Sequence, residues 1–467
     1  MRTRARMFTI EDVVRGTQGA LVGGDLGVHA SGVSIDSRSL RVGEVFFAIR
    51  GWQQDGHAFV QDAAARGASC LVVHSLPDDL PSSVPVVLVD DTTRALGRLA
   101  AYHRARFTIP VAAVTGSNGK TTTKEMMAAV LETLGPILKP QSSFNNQWGL
   151  PLTLLQLSPQ HRAVALELGS SRPGEIAALA EISRPTVAAV TTVSSAHTEL
   201  LGSLDGVQAE KGALVAAIPP EGAVVLNADD PRVLAMRDAS RARVLTVSAE
   251  READVRAVGI PAETEEGLAV TLEIRGARRT ARLAFAGRHN VTNALVAAGV
   301  GLALGLPLAQ IAGGLEAARP AKGRCVWRRA GALLILDDTY NANPASVSAA
   351  LSTLAAAREA GRLIVVLGDM LELGEIGEAM HREVGRAVAA SGAAEFIGVG
   401  RLARVAVESA REAGLGECHH VGMFEDTVAL LLKRLAPGDA VLVKGSRGMR
   451  MERVVDALLA RFGGDDA

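Results

Sequence analysis

The densest chemistry in the sequence lies in Val111-Ala-Ala-Val-Thr-Gly-Ser-Asn-Gly-Lys-Thr-Thr-Thr-Lys124. Gly116 and Gly119 let the backbone approach an oxyanion and turn its N–H groups inward. Lys120 supplies a full positive charge, and Thr121 a hydroxyl for a metal bridging phosphates. The spacing departs from the common G-x-x-x-x-G-K-T pattern, because its first glycine falls on Val114 and two residues, not four, separate Gly116 from Gly119. Thr115, Gly116, Ser117, Asn118, Gly119, Lys120, Thr121 and Thr122 therefore read as a triphosphate loop, the alternative being a glycine turn with an incidental lysine. Three later residues could complete a metal-assisted site: Glu167, His197 and Lys211. Glu167 ends an apolar run, where a carboxylate is costly to bury without a cation, although it could equally cap a neighbouring helix. Taken singly, His197 reads as a core histidine and Lys211 as a solvated charge; only the combination raises them.

Such groups need strands that deliver them to one edge. The β-branched run from Val111, the glycine turn and the apolar-periodic stretch 124–134 predict strand, loop and helix. From there to about 318 strands alternate with helices, the pattern of a parallel sheet with crossover helices. Ligands of open α/β sheets bind beyond the carboxyl ends of the strands, where Glu167 and His197 fall. Within this region 255–286 changes character, and the alternation in 267–274 and 280–285 predicts an antiparallel edge. Asn290 and Asn293, opening a helix expected over 291–304, either face a nucleotide base or cap and pack.

At 467 residues the chain exceeds one ordinary domain. The expected division is 1–108, 109–318 and 319–467, with the first boundary at Pro110, where a helix stops, and the second near Arg324. The first region mixes short strands with a helix expected from His57 to Arg66. There Ser37 and Arg38 could bind a pyrophosphate or simply form a surface turn. From about 325 a second α/β pattern runs, with polar loops at the strand ends 337–344 and 444–450; the latter has the composition of an anion site. With 48% hydrophobic residues and a formal net charge of −1, the composition supports packed cores and shows no nucleic-acid footprint. The three cysteines, Cys70, Cys325 and Cys418, form no C-x-x-C, which fits a reducing compartment. No signal peptide and no apolar run of membrane-spanning length is found, so a cytoplasmic protein is expected.

Collected together, Thr115-Gly-Ser-Asn-Gly-Lys-Thr121, Leu166-Glu-Leu-Gly169, Ser195-Ala-His197, Glu210-Lys-Gly212, Arg288-His-Asn290 and Gly323-Arg324 are similar to motifs of the Mur ligases of bacterial cell-wall synthesis, and the resemblance covers essentially the full chain. Asp338-Thr-Tyr-Asn-Ala-Asn-Pro344 and Leu367-Gly-Asp-Met-Leu-Glu-Leu-Gly374 resemble segments of the family branch that adds D-alanyl-D-alanine to UDP-N-acetylmuramoyl-tripeptide. The resemblance implies an α/β fold of three domains: a central P-loop ATPase domain with a parallel sheet, flanked by an α/β UDP-substrate domain and a Rossmann-like C-terminal domain that closes over the nucleotide and binds the dipeptide.

Residue by residue, it implies that Ser37 and Arg38 contact the UDP portion, with Asn145 and Asn146 near the substrate. Thr121 and Glu167 would hold one Mg2+, and His197 and Lys211 a second, the lysine as a carbamate. Asn290, Arg324 and Asp338 would enclose the adenosine of ATP, and Tyr340, Asn341 and Lys444 would serve substrate binding. Catalysis would rest on Lys120, His197 and Lys211. A monomer is expected, with neither nucleic acid nor a membrane span. One departure stands out: relatives often carry an acidic residue two places after the lysine, where this chain has Ala213. The alternatives are another amide ligase of the same fold, such as a sibling Mur ligase or a folylpolyglutamate synthase, a P-loop kinase or regulatory ATPase, or a binding protein that retains the fold.

Overall fold

Residues 8–51, 54–76, 84–140, 144–194, 198–259, 267–357 and 361–463 are described in a computed structural model of the chain. Three large sheets, of five, nine and six strands, carry an α/β fold. The chain divides into two compact units, one of Met1–Ala113, Leu134–Ser170 and Gly174–Thr186, the other of Val114–Thr133, Ser171–Pro173 and Val187–Ala467.

In the first unit the five-stranded sheet runs Ala20–Gly23, Val86–Leu88, Cys70–Val73, Glu44–Phe47, Gly32–Ser34, antiparallel only at its Ala20–Gly23 edge. Phe46, Leu71 and Val73 face a core shared with Val60 and Ala63 of the helix Val60–Ala65. That helix begins later than the sequence suggests, because Asp55 caps a preceding 3-10 turn, Gly56–Phe59, by accepting from the His57 N–H. The unit also holds Ala163–Glu167, parallel to Ile137–Leu138. The Val164 N–H donates to the Pro110 carbonyl at 3.0 Å, which sets this strand beside the start of Val111–Thr115.

The second unit continues with Val187–Val190, Ala223–Asn227, Arg243–Ser248 and Val255–Ala257 in parallel, then the antiparallel pair Leu268–Ile274 and Ala277–Leu283. The expected antiparallel edge is present, and its alternation is explained by burial on one face only: Leu268, Val270, Leu272 and Ile274 are buried, while the residues between them are half-exposed. The helix His289–Ala303 is apolar nearly all round and buried along its length, as befits one packed against both sheet and helices. A six-stranded sheet follows in the order Val326–Ala330, Leu333–Asp338, Ala440–Lys444, Leu363–Gly368, Glu395–Val399, Glu417–Val421, parallel except at its first strand. Leu334 and Leu336 pack on one face and Leu333 and Ile335 on the other. Among the described residues no helix is long and apolar enough to cross a membrane.

Candidate active site

The strand Val111–Thr115 is buried at every position, and the helix Lys120–Leu131 follows with Gly119 as its N-cap. The turn between them is tightly enclosed. Gly116 has φ 145° and Gly119 φ 80°, and a Cβ on either would collide, at 2.0 Å from Thr191 Oγ1 and 2.2 Å from Asn293 Oδ1 respectively. Only glycine meets both demands. Lys120 folds over the loop, its Nζ donating to the carbonyls of Gly116 (2.7 Å) and Ser117 (3.1 Å).

Segment 191–194 straps the loop along one side. The Ser117 N–H donates to the Thr192 carbonyl at 2.8 Å, and the Asn118 N–H to Thr192 Oγ1 at 3.2 Å. Thr191 Oγ1 donates to the Asn118 carbonyl at 2.6 Å, and the Ser117 hydroxyl exchanges bonds with the backbone of Ser194. Underneath, Asn293 Oδ1 accepts from Thr123 Oγ1 at 3.1 Å while its amide donates to Asn290 Oδ1 at 2.7 Å. Asn290 in turn donates to the Ala286 carbonyl at 2.5 Å and is 2% exposed. It braces the floor of the loop through Asn293.

Two residues from the loops of the six-stranded sheet reach the phosphate loop. Arg324 Nη2 donates to Thr121 Oγ1 at 3.1 Å, with its guanidinium 3.8 Å above the Tyr340 ring. Asn343 donates to Asn118 Oδ1 at 2.8 Å and at the same time caps the helix Pro344–Ala356 in a reciprocal box with Ser346. Asp338 and Lys444 end adjacent parallel strands in register. Lys444 donates to Asp338 Oδ2 at 2.5 Å and to the Asn341 carbonyl at 2.8 Å, and Asp338 Oδ1 accepts from the Cys325 N–H at 3.1 Å. Burial raises the pKa of the preceding carboxyl, Asp337. Lys211 lies inside the helix Leu204–Ala216 and is 2% exposed.

In the first unit Glu167 ends its strand 2% exposed and accepts from Asn145 Nδ2 at 2.7 Å. Asn146 caps the turn that follows, its Oδ1 accepting from the Trp148 and Gly149 N–H groups. Ser37 is buried and bonds the Asp62 carboxylate. Arg38 is exposed and pairs with Asp36, whose pKa its hydrogen bonds hold below the usual carboxylate value.

His197 lies outside the described residues. Among the described residues no group of three or more His, Cys, Asp or Glu is placed to hold a metal. Sequence reasoning missed Asn343 and the strap 191–194; Asn293 takes the packing one of the two readings left open for it. The 225-residue separation of Asn118 and Asn343 leaves no local signal.

This chain belongs to the Mur ligase family: residues 29–104 match the catalytic domain of that family, 114–301 its middle domain and 323–447 its glutamate ligase domain. Within the family it is 38% identical, over 94% of its length and 96% of the relative's, to the UDP-N-acetylmuramoyl-tripeptide–D-alanyl-D-alanine ligase of Escherichia coli. The Bacillus subtilis enzyme of the same name is 32% identical, with 92% and 93% covered. A crystal structure of MurF from Acinetobacter baumannii superimposes with a TM-score of 0.89 at 32% identity, covering 97% of this chain and 99% of that one. MurF of Thermotoga maritima in complex with ADP gives 0.80 at 27%, covering 92% and 98%.

Proposed function

We infer that this chain is an ATP-dependent, ADP-forming ligase that joins D-alanyl-D-alanine to UDP-N-acetylmuramoyl-tripeptide in peptidoglycan precursor synthesis. One observation carries the reading beyond nucleotide binding: Arg324 and Asn343, from the loops of a second sheet, close on Thr121 and Asn118 of the phosphate loop. A closed site suits chemistry whose intermediate water would destroy. The nearly full-length likeness to ligases of this specificity supplies the substrates.

The terminal carboxylate of the tripeptide attacks the γ-phosphorus of ATP, giving an acyl phosphate and ADP. The amine of the dipeptide then attacks that carbonyl, and phosphate leaves with the former carboxylate oxygen. Carboxylate and triphosphate repel, so the site must supply positive charge before they meet. Lys120 and the loop N–H groups do so on the nucleotide, while Arg324 and Asp338 enclose the adenosine side and Asn290 acts through Asn293. Tyr340, Asn341 and Lys444 shape the substrate side. Ser37 and Arg38 take the UDP portion, with Asn145 and Asn146 near the peptide.

Glu167 is buried and accepts from Asn145, and a carboxylate at a strand end is a group that a cation can use. Mg2+, held by Thr121 and Glu167 at one site and by His197 and a carbamate of Lys211 at the other, would neutralise developing charge. Lys211 is buried inside the helix Leu204–Ala216, and a carbamate there would replace a cation by an anion able to join a metal's ligands. The domains 1–108, 109–318 and 319–467 divide these tasks, supported by family matches over 29–104, 114–301 and 323–447. The enzyme works as a monomer in the cytoplasm.

Phosphate release from ATP is measured with the UDP-tripeptide, with and without D-alanyl-D-alanine. Release dependent on the dipeptide, matched by its mass gain on the peptide, is expected. Phosphate release indifferent to the dipeptide overturns the reading.

A further inference from the structure

The dipeptide presents two methyl groups and a carboxylate, and the carboxylate needs a cation. Among the described residues, three cationic groups meet around the Asp338 and Lys444 strand ends. Lys444 is engaged: its side chain is 2% exposed and bonds Asp338 and the Asn341 carbonyl. Arg324 is turned to the phosphate loop, and its buried Nε has no hydrogen-bond partner. Arg447 differs. It stands on the 3-10 turn Arg447–Met449 just past Lys444, its side chain 65% exposed, with its guanidinium 5.5 Å from the centroid of the Tyr340 ring. Its ion pair to Glu452 is 3.3 Å long and solvent-exposed, a kind of contact that holds an arginine weakly.

Tyr340 is therefore shared by two guanidinium groups, Arg324 at 3.8 Å and Arg447 at 5.5 Å. The ring quadrupole favours each cation but does not neutralise either. One of them touches Thr121, the residue beside the loop lysine; the other faces outward. Apolar surface lies next to Arg447. Leu371 is 41% exposed, and a Cβ on Gly448 would come within 3.0 Å of its Cδ1. Its backbone is held there, the Leu371 N–H donating to Ser446 Oγ at 2.8 Å while the Ser446 N–H donates to the Asp369 carbonyl at 3.1 Å. Cation and aliphatic surface are thus held by the segments that follow two neighbouring strands, Ala440–Lys444 and Leu363–Gly368.

We propose that Arg447, held over Tyr340 and flanked by Leu371, binds the carboxylate of the incoming dipeptide and sets the requirement for a free C-terminus. The assignment rests on the ligase reading above. The guanidinium offers a two-pronged, charge-assisted contact that an amide cannot return.

Steady-state kinetics are run on the full chain and on Arg447→Met and Arg447→Lys, with D-alanyl-D-alanine and with D-alanyl-D-alaninamide, which keeps both methyls and the amine but lacks the charge. Wild type is expected to show a KM for the amide higher than for the acid by about ten- to hundredfold, the span of a charge-assisted hydrogen bond. In Arg447→Met the acid KM rises to meet that of the amide, while the KM for ATP stays put; Arg447→Lys recovers part of the discrimination. If wild type does not distinguish acid from amide, or Arg447→Met keeps the full ratio, Arg447 does not bind the carboxylate. A wild-type enzyme that uses neither dipeptide overturns instead the ligase reading on which the assignment rests.

Discussion

Asn343 Nδ2 donates to Asn118 Oδ1 across 225 residues of sequence, and the same Asn343 caps the helix Pro344–Ala356 through its Oδ1. One side chain thus fixes a helix start and ties it to the phosphate loop. Asn343→Asp separates the two tasks, because aspartate is as good a cap but cannot donate to Asn118. Thermal melting should stay within a few degrees of wild type while the KM for ATP rises about tenfold, the order of one lost hydrogen bond plus an added negative charge. Asn343→Ala should also lower the melting temperature, through a cap loss of about 1 kcal/mol. Equal ATP kinetics in Asn343→Asp and wild type would remove Asn343 from the site.

Gly119→Ala meets two obstacles of different kinds. Its φ of 80° disfavours any side chain, by roughly 1–2 kcal/mol, and its Cβ would press on Asn293 Oδ1. ADP binding, followed calorimetrically, should be lost in Gly119→Ala and partly regained in the double variant Gly119→Ala/Asn293→Ala, which removes the collision but leaves the backbone penalty. No recovery at all would show that conformation alone dictates glycine here.

The strand, glycine turn and helix over 111–131 and the strand-end position of Glu167 were legible in the sequence because both are local: an apolar run, a glycine turn, an apolar-periodic helix. The antiparallel edge was legible for the same reason, its two-residue alternation matching burial on one face. What could not be read were polar side chains meeting across the fold. Thr191, Ser194, Asn293 and Asn343 are small polar residues in turns and at helix starts, where their types are expected whatever they touch. Their role exists only once the strands are ordered, as when Thr191 accompanies Val187–Val190 to the end of its strand and meets the Asn118 carbonyl. The helix expected from His57 is present but starts at Val60, for a nearer reason. Asp55 accepts from the His57 backbone and its ring, which favours a tighter first turn.

On the proposed reading Glu167 holds Mg2+, so disturbing the Asn145 amide that bonds it should show in the metal dependence. Asn145→Asp sets a second carboxylate where the amide donated at 2.7 Å. Like charges at that range disfavour ionisation of both. The Mg2+ concentration for half-maximal activity should shift several-fold, and at low pH the two carboxyls should share a proton and lose metal sooner than wild type. Activity titrated with Mg2+ at two pH values checks this; an unchanged Mg2+ curve would place Asn145 elsewhere in the reaction.

Asp337 is fully buried. Its Oδ1 accepts from Thr339 backbone and hydroxyl, whereas Oδ2 has no hydrogen-bond partner and sits 3.9 Å from Arg328. Burial, the largest influence, raises its pKa above the ordinary 3.8. Since the folded state holds this proton more tightly than the unfolded one, its contribution to stability is fully present below 3.8 and is lost as pH rises through the folded value. The substitution Asp337→Asn keeps an Oδ1 for Thr339 and carries no charge at any pH. The melting temperature of Asp337→Asn minus that of wild type should therefore increase from pH 4 to pH 8; a difference independent of pH would mean that Asp337 titrates alike folded and unfolded.

Lys211 tests the proposal of a second metal site. A lysine ammonium would repel Mg2+, whereas a carbamate on the same nitrogen presents two oxygens to it. Lys211, 2% exposed in the middle of the helix Leu204–Ala216, would have to lose its proton to form that carbamate. Lys211→Ala removes the group and leaves space behind it. Activity should fall by at least the roughly ten- to hundredfold that loss of a group supporting a metal ligand costs, and short carboxylic acids such as acetate or propionate should restore part of it by lending the missing oxygens. A cation needed for itself would be rescued by amines, not acids. A variant that stays folded by its melting curve, yet regains nothing from any carboxylic acid, leaves Lys211 a lysine and the second magnesium without its ligand.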